Sequence, residues 1–210
     1  SVLACSLCVV TATALLLLVM VLASLGLTFF GSSISSPHVE EACAWGEWKL
    51  PQWVRPNAYD LNFQVQMEEP WMVGGTVVID LDVQHQTRCI VLHAQNMTVE
   101  DVRITGGAED ADYVKNNGVL VQDIRFNQSL EQVTLEWQDS ISQGKKTLYM
   151  EFSYPLRDGM SGFYRSTYLD GDVEESLAAT QFEPNSARSA FPCFDEPEYK
   201  ATFAVEVITS

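Results

Sequence analysis

From Tyr59 onward the chain alternates. Tyr59, Leu61, Phe63 and Val65 are separated by Asp60, Asn62 and Gln64, and Val77, Ile79, Leu81 and Val83 by Val78, Asp80 and Asp82. A period of two sends one set of side chains to a core and the other to water, which predicts strands in a sheet. Residues 89–92 form a short apolar run, and residues 97–104, 118–126, 132–137 and 147–154 alternate again. Gly74-Gly75, Gly106-Gly107, Asn116-Asn117-Gly118 and Gln143-Gly144 lie between these runs and are expected to be turns. No stretch in this region carries a clear 3.6-residue period. Many short strands with frequent turns predict an all-β domain, an antiparallel β-sandwich or related sheet fold.

The first part of the chain has a different pattern. Residues 9–30 are nearly all apolar, and the first charged residue is Glu40. About 20 such residues suffice for a helix to cross a bilayer core of roughly 30 Å. The alternative is a cleaved signal peptide, but signal h-regions are shorter and follow a basic stretch. The expected layout is therefore a cytoplasmic edge and single transmembrane helix over 1–31, a Ser-rich stalk over 32–49 and a β domain over 50–210. Cys5 and Cys8, at the start of the anchor, are either small buried thiols or sites for palmitoylation.

Charge bears on location and partners. The 28 Asp and Glu outnumber the 12 Lys and Arg, and the net charge is −16. That argues against a nucleic-acid partner, since phosphate contacts need basic patches. All of these charges follow the apolar segment. Asn96-Met97-Thr98 and Asn127-Gln128-Ser129 are glycosylation sequons. Together these features point to a single-pass plasma-membrane protein with its C-terminal part outside and Asn96 and Asn127 glycosylated. Cys43, Cys89 and Cys193 are left for the exterior, an odd number from which no complete disulfide framework can be read. The three His residues show no metal spacing.

Few residues outside one block invite chemistry. Leu50-Pro51 and the Val54–Leu61 run read as a proline-stiffened lead-in to the first strand. His93, at the end of a strand, has no neighbouring ligand and reads as structural. The serines lack a Gly-x-Ser-x-Gly setting. Cys193, between Pro192 and Phe194, suits a packed core or disulfide better than a nucleophile. The dense block is residues 181–203, QFEPNSARSAFPCFDEPEYKATF. Glu183, between Phe182 and Pro184, is placed to receive an ammonium group; the alternative is an ion pair with Arg188. Asp195-Glu196-Pro197 reads as a turn, with Lys200 as partner. Residue types alone favour the structural alternative for both.

The same block resembles the signature of the aminopeptidase N family of zinc-dependent aminopeptidases, many of them single-pass ectoenzymes. Gln181-Phe182-Glu183-Pro184, Ala187-Arg188, Phe191-Pro192-Cys193-Phe194-Asp195-Glu196-Pro197 and Lys200-Ala201-Thr202-Phe203 carry it. Gly162-Phe163-Tyr164-Arg165-Ser166 with Tyr168, Ile90-Val91-Leu92-His93-Ala94, and Leu50-Pro51 with Pro56 and Tyr59-Asp60-Leu61 match in order upstream. The resemblance implies the family's N-terminal β-sandwich domain, packed on a catalytic domain that holds zinc. It implies that Gln181 and Glu183 line the first substrate pocket, where the carboxylate binds a peptide's free α-amine.

The family's His-Glu-x-x-His helix and its Gly-Ala-Met-Glu-Asn motif are not in these residues. No catalytic residue and no metal ligand is therefore expected in this chain, which should not hydrolyse peptides alone. Its start at Ser1 and its end soon after the signature lead to the expectation of a fragment of a longer enzyme. The expected partners are a peptide N-terminus, the catalytic domain and a membrane through residues 9–30. A face left bare, with Phe182, Phe191 and Phe194, should make the isolated piece aggregate or form a homodimer. The competing readings are a non-catalytic membrane-anchored β-sandwich that binds or scaffolds, and an adhesion-type domain.

Overall fold

A computed structural model describes residues 42–107 and 109–209, all within the compact unit Pro37–Ser210. Three groups of strands emerge from the alternating pattern. One sheet holds six strands in the order β11, β1, β2, β8, β4, β5: Thr202–Thr209, Val54–Gln66, Met72–Val83, Gly144–Pro155, Thr98–Gly106 and Val119–Leu120. A second holds β3 (Thr87–His93), β7 (Gln132–Ile141) and β6 (Asp123–Asn127). A separate hairpin pairs β9 (Gly162–Asp170) with β10 (Val173–Gln181). The all-β expectation holds, and the pairings are antiparallel except that β11 runs parallel to β1.

The alternation does its expected work in β1. Tyr59, Leu61, Phe63 and Val65 are buried and Asp60 and Gln64 are exposed. Ile79, Leu81, Leu148, Met150 and Phe152 from the large sheet face Ile90, Leu92, Val133, Leu135 and Trp137 from the small one in a single core. Each such side chain removed from water contributes about 1.5–3 kcal/mol. Trp137 tolerates burial because its indole N–H donates to the Val119 carbonyl at 3.1 Å.

Three expectations need correction. Gly74 and Gly75 form no turn but lie inside β2. A side chain at Gly75 would collide with the Asn62 carbonyl and come within 2.8 Å of the Phe152 ring, so the glycine permits close strand packing. Residues 118–126 are not one strand: β5 pairs with β4 in the large sheet and β6 with β7 in the small one. A helix, α1, spans Ala111–Asn117, capped by the Asp110 carboxylate accepting from the Tyr113 N–H at 2.8 Å. Its seven residues show too little periodicity to read. Val114 alone is buried, against Val78 and Tyr149 on the outer face of the large sheet.

Residues upstream of Leu50 are tied to the sheets. Cys43 and Cys89 form a disulfide with Cα atoms 5.5 Å apart. Arg125 donates to the Cys43 carbonyl and Gln132 to the carbonyls of Glu47 and Trp48. The staple closes a loop of 46 residues, which stabilises by about 4 kcal/mol on the chain-entropy account. The disulfide framework that three cysteines left open is one bridge plus a buried free thiol at Cys193. The expected transmembrane segment, residues 9–30, lies outside the described residues. No described helix is long and apolar enough to cross a membrane.

Candidate functional site

Two elements converge on Gln181 and Glu183. The β9–β10 hairpin turns at Gly171, whose φ of 65° suits glycine, and pairs Gln181 with Gly162. Gly162 has a φ of 71°, and a side chain there would run into Ser189. The glycine thus lets the root of the hairpin lie against the 3-10 turn Ala187–Ser189. Phe163 packs edge-on against Phe63, with ring centroids 5.5 Å apart. Arg165 pairs with Asp158 at 2.6 Å and lies over the Trp71 ring. Gln181 is the last residue of β10, and Glu183 stands in the following turn, closed by the Ser186 N–H donating to the Phe182 carbonyl at 2.7 Å.

Both side chains are exposed. Among the described residues, neither the Gln181 amide nor the Glu183 carboxylate makes a side-chain hydrogen bond or ion pair. The expected alternative, Glu183 with Arg188, does not form. Arg188 is buried and its guanidinium is already used. Its Nε meets Asp195 Oδ2 at 3.0 Å, Nη1 meets Glu131 Oε2 at 3.2 Å, and Nη2 donates to the Asp195 carbonyl at 3.0 Å. Lys200 likewise pairs with neither Asp195 nor Glu196. Glu196 instead accepts from the Leu50 N–H at 2.6 Å.

The rest of the block is sewn into the core. The Cys193 N–H donates to the His93 carbonyl at 3.0 Å, and the His93 N–H donates to the Cys193 carbonyl at 2.8 Å. The Asp195 N–H donates to His93 Nδ1 at 3.2 Å, and the Phe194 N–H to the Tyr59 hydroxyl at 3.1 Å. Burial, aided by the Arg188 charge, lowers the His93 pKa to about 3. His93 is thus a neutral acceptor, structural as its lone position suggested. Burial pushes the Cys193 thiol well up, with Asp195 adding to the effect, so it is inert. Phe191 sits among Tyr59, Phe63, Phe182 and Phe203. Phe191 and Phe194 are buried and Phe182 partly so, not laid bare as expected. The exposed apolar residues include Phe203, Val205 and Val207 of β11.

Comparison with known sequences decides the family. The profile of the Peptidase M1 N-terminal domain matches residues 55–210. The chain belongs to this family. It is 36% identical over 160 residues to aminopeptidase M1 of Arabidopsis thaliana, a match covering 76% of this chain and 18% of that protein. It is 34% identical over 174 residues to human glutamyl aminopeptidase, covering 80% and 17%. Rat endoplasmic reticulum aminopeptidase 1 is 29% identical over 179 residues, covering 84% and 19%. The chain thus spans less than one fifth of the length of these relatives.

For an M1 N-terminal domain, the parts that hold the loop matter as much as the exposed residues. The sequence offers Arg188 as a partner for Glu183 and Lys200 for Asp195-Glu196. The mutual bracket of Arg188 and Asp195 carries no local signal, because a pair seven residues apart across a 3-10 turn follows no local period. The two sequon asparagines, Asn96 and Asn127, are both exposed. Among the described residues, Cys43, Cys89 and Glu136 are the one His, Cys, Asp and Glu group close enough to hold an ion. The two cysteines are joined to each other, and Arg88 and Arg125 already pair with Glu136. That donor set does not fit the zinc associated with the family.

Proposed function

We propose that this chain supplies the substrate N-terminus-binding part of a zinc metalloaminopeptidase that removes N-terminal residues from peptides. In this reading Glu183 pairs with the α-ammonium of the peptide and Gln181 forms one wall of the first pocket. The observation that carries it is the exposed Glu183 carboxylate, without a partner among the described residues, on a turn whose flanks are fixed. A carboxylate in this position defines where a peptide begins, because an internal peptide bond offers it no ammonium. Hydrolysis belongs to residues other than these, since the donor set found among the described residues fits no catalytic zinc. The domain is inactive by itself, and the uncovered apolar row of β11 is the surface for a catalytic domain.

In the full-length aminopeptidase proposed to contain this chain, Glu183→Ala should raise KM for peptides with a free N-terminus about tenfold or more. That is the worth of a charge-assisted hydrogen bond, about 1.5–3 kcal/mol. An unchanged KM rejects the amine-binding role.

We further propose a single-pass plasma-membrane protein, anchored through residues 9–30 with the β domain outside. The Cys43–Cys89 disulfide supports this, because such bonds persist in oxidising compartments. So do the exposed Asn96 and Asn127. In microsomes the β domain should resist added protease and shift in mass on deglycosylation. Digestion without detergent rejects the topology.

A further inference from the structure

The first sequon lies in a groove. Asn96, Met97 and Thr98 all line a depression of about 450 Å³, and so do Phe126 and Gln128, the two neighbours of Asn127. That volume lies within the range of small-molecule sites, about 300–1,000 Å³. Glu131 is the one charged residue among the described residues that line it. Its carboxylate is already engaged by Arg188 and by the Gln95 amide. The groove therefore offers amides, hydroxyls, a thioether and a half-exposed aromatic ring, but no free charge. A neutral polyol with an apolar C–H face and an amide of its own is the ligand class that matches.

The attachment point is fixed. Asn96 is exposed with a φ of 54°, in the left-handed region that asparagine tolerates. Just before it, the Ala94 N–H donates to the Glu131 carbonyl at 2.9 Å and the Gln95 N–H to the Arg188 carbonyl at 2.8 Å. A sugar joined to Asn96 starts from a rigid rim and hangs beside the groove.

We propose that this groove seats the innermost N-acetylhexosamine of an N-linked glycan carried by Asn96 itself. Phe126 lies under the apolar face of the sugar, and Thr98 and Gln128 serve its polar groups. The inference rests on the proposed exterior location. In the attachment step Asn96 Nδ2 forms a bond to the sugar's C1. The bond from C1 to the diphosphate of a lipid-linked oligosaccharide donor breaks, and the amide loses one proton to the transferase. A tethered sugar has an effective concentration of millimolar order. Against a saccharide affinity also in the millimolar range, 1 + [L]/Kd is about two to five.

The test uses the whole chain made in glycosylating cells, with Ser129→Ala so that only the first sequon remains. The glycan is trimmed enzymatically to one sugar, and occupancy at Asn96 is read by mass spectrometry. Amide hydrogen exchange over residues 97–99 and 126–131 is then compared with the Asn96→Gln form. Exchange slowed about two- to fivefold, with the slowing lost when both forms also carry Phe126→Ala, supports the seat. An occupied Asn96 with no slowing, or slowing that survives Phe126→Ala, overturns it and leaves the exterior location standing. An unoccupied Asn96 overturns both.

Discussion

Residues 181–203 have an inner and an outer part that behave oppositely. The inner part, residues 188–195, is buried and bonded: Arg188 to Asp195 and Glu131, Cys193 to His93, Phe194 to Tyr59. The outer part ends in Gln181 and Glu183 on one side and begins β11 at Thr202 on the other, and it is exposed at both ends. The two parts are a few residues apart, so composition does not explain the contrast. Partnership does. Each inner charge has a counter-charge within the domain, whereas Glu183 has none among the described residues. A fold that pairs Asp195 and leaves Glu183 without a partner among the described residues separates the holding of the loop from the ligand-binding role proposed for Glu183.

The largest test of that separation is Arg188→Ala. It strands Asp195 and Glu131 with uncompensated charge, and breaking a buried pair in this way costs about 3–5 kcal/mol. The melting temperature should fall by about 10 °C, as read by circular dichroism. Glu183→Ala should change stability by no more than about 0.5 kcal/mol, as for an exposed position. Equal effects from the two substitutions would erase the contrast.

A second test uses pH. His93 accepts the Asp195 N–H only while neutral, and its folded pKa lies near 3 against an ordinary value of 6.5. Between those values the unfolded chain binds the extra proton. The contribution is therefore complete above about pH 6.5 and is lost as pH falls toward 3, with a slope of up to about 1.4 kcal/mol per pH unit. Denaturant melts between pH 7 and 5 should show this slope, and His93→Gln should flatten it. A slope identical in the variant would mean that other groups carry it.

Sequence pattern disclosed the contrast unevenly. The period-two row of β1 reported its own burial, whereas on β2 the outward Val78 is buried too, beneath α1. The aromatic and proline spacing of residues 181–203 marked a shaped loop and carried the family resemblance that the domain match bears out, and the proposed roles of Gln181 and Glu183 rest on that resemblance. What stayed hidden depends on distant neighbours. The Cys43–Cys89 bridge joins residues 46 apart, and the Arg188 bracket needs Glu131 from the turn before β7. Nothing in Phe203-Ala-Val-Glu-Val tells whether its apolar side meets a second layer. The structure leaves it in water, at the edge of a six-stranded sheet whose opposing sheet has three strands.

That uncovered row gives the smallest effect on folding and the last test. In the parallel ladder Phe203, Val205 and Val207 pair with Tyr59, Leu61 and Phe63, so they share the core-facing side. Yet Val205 is 58% exposed where its ladder partner Leu61 is 2% exposed. A residue already in water loses little by becoming charged, so Val205→Lys should change stability by no more than about 0.5 kcal/mol. Its effect should fall on association instead. A chain shortened to begin at Ala42 presents this row to other copies, and by sedimentation it should self-associate in a concentration-dependent way that the lysine weakens. If the shortened chain is a monomer with or without the substitution, the exposed row is no adhesive surface. If Val205→Lys unfolds it, β11 belongs with the inner part after all.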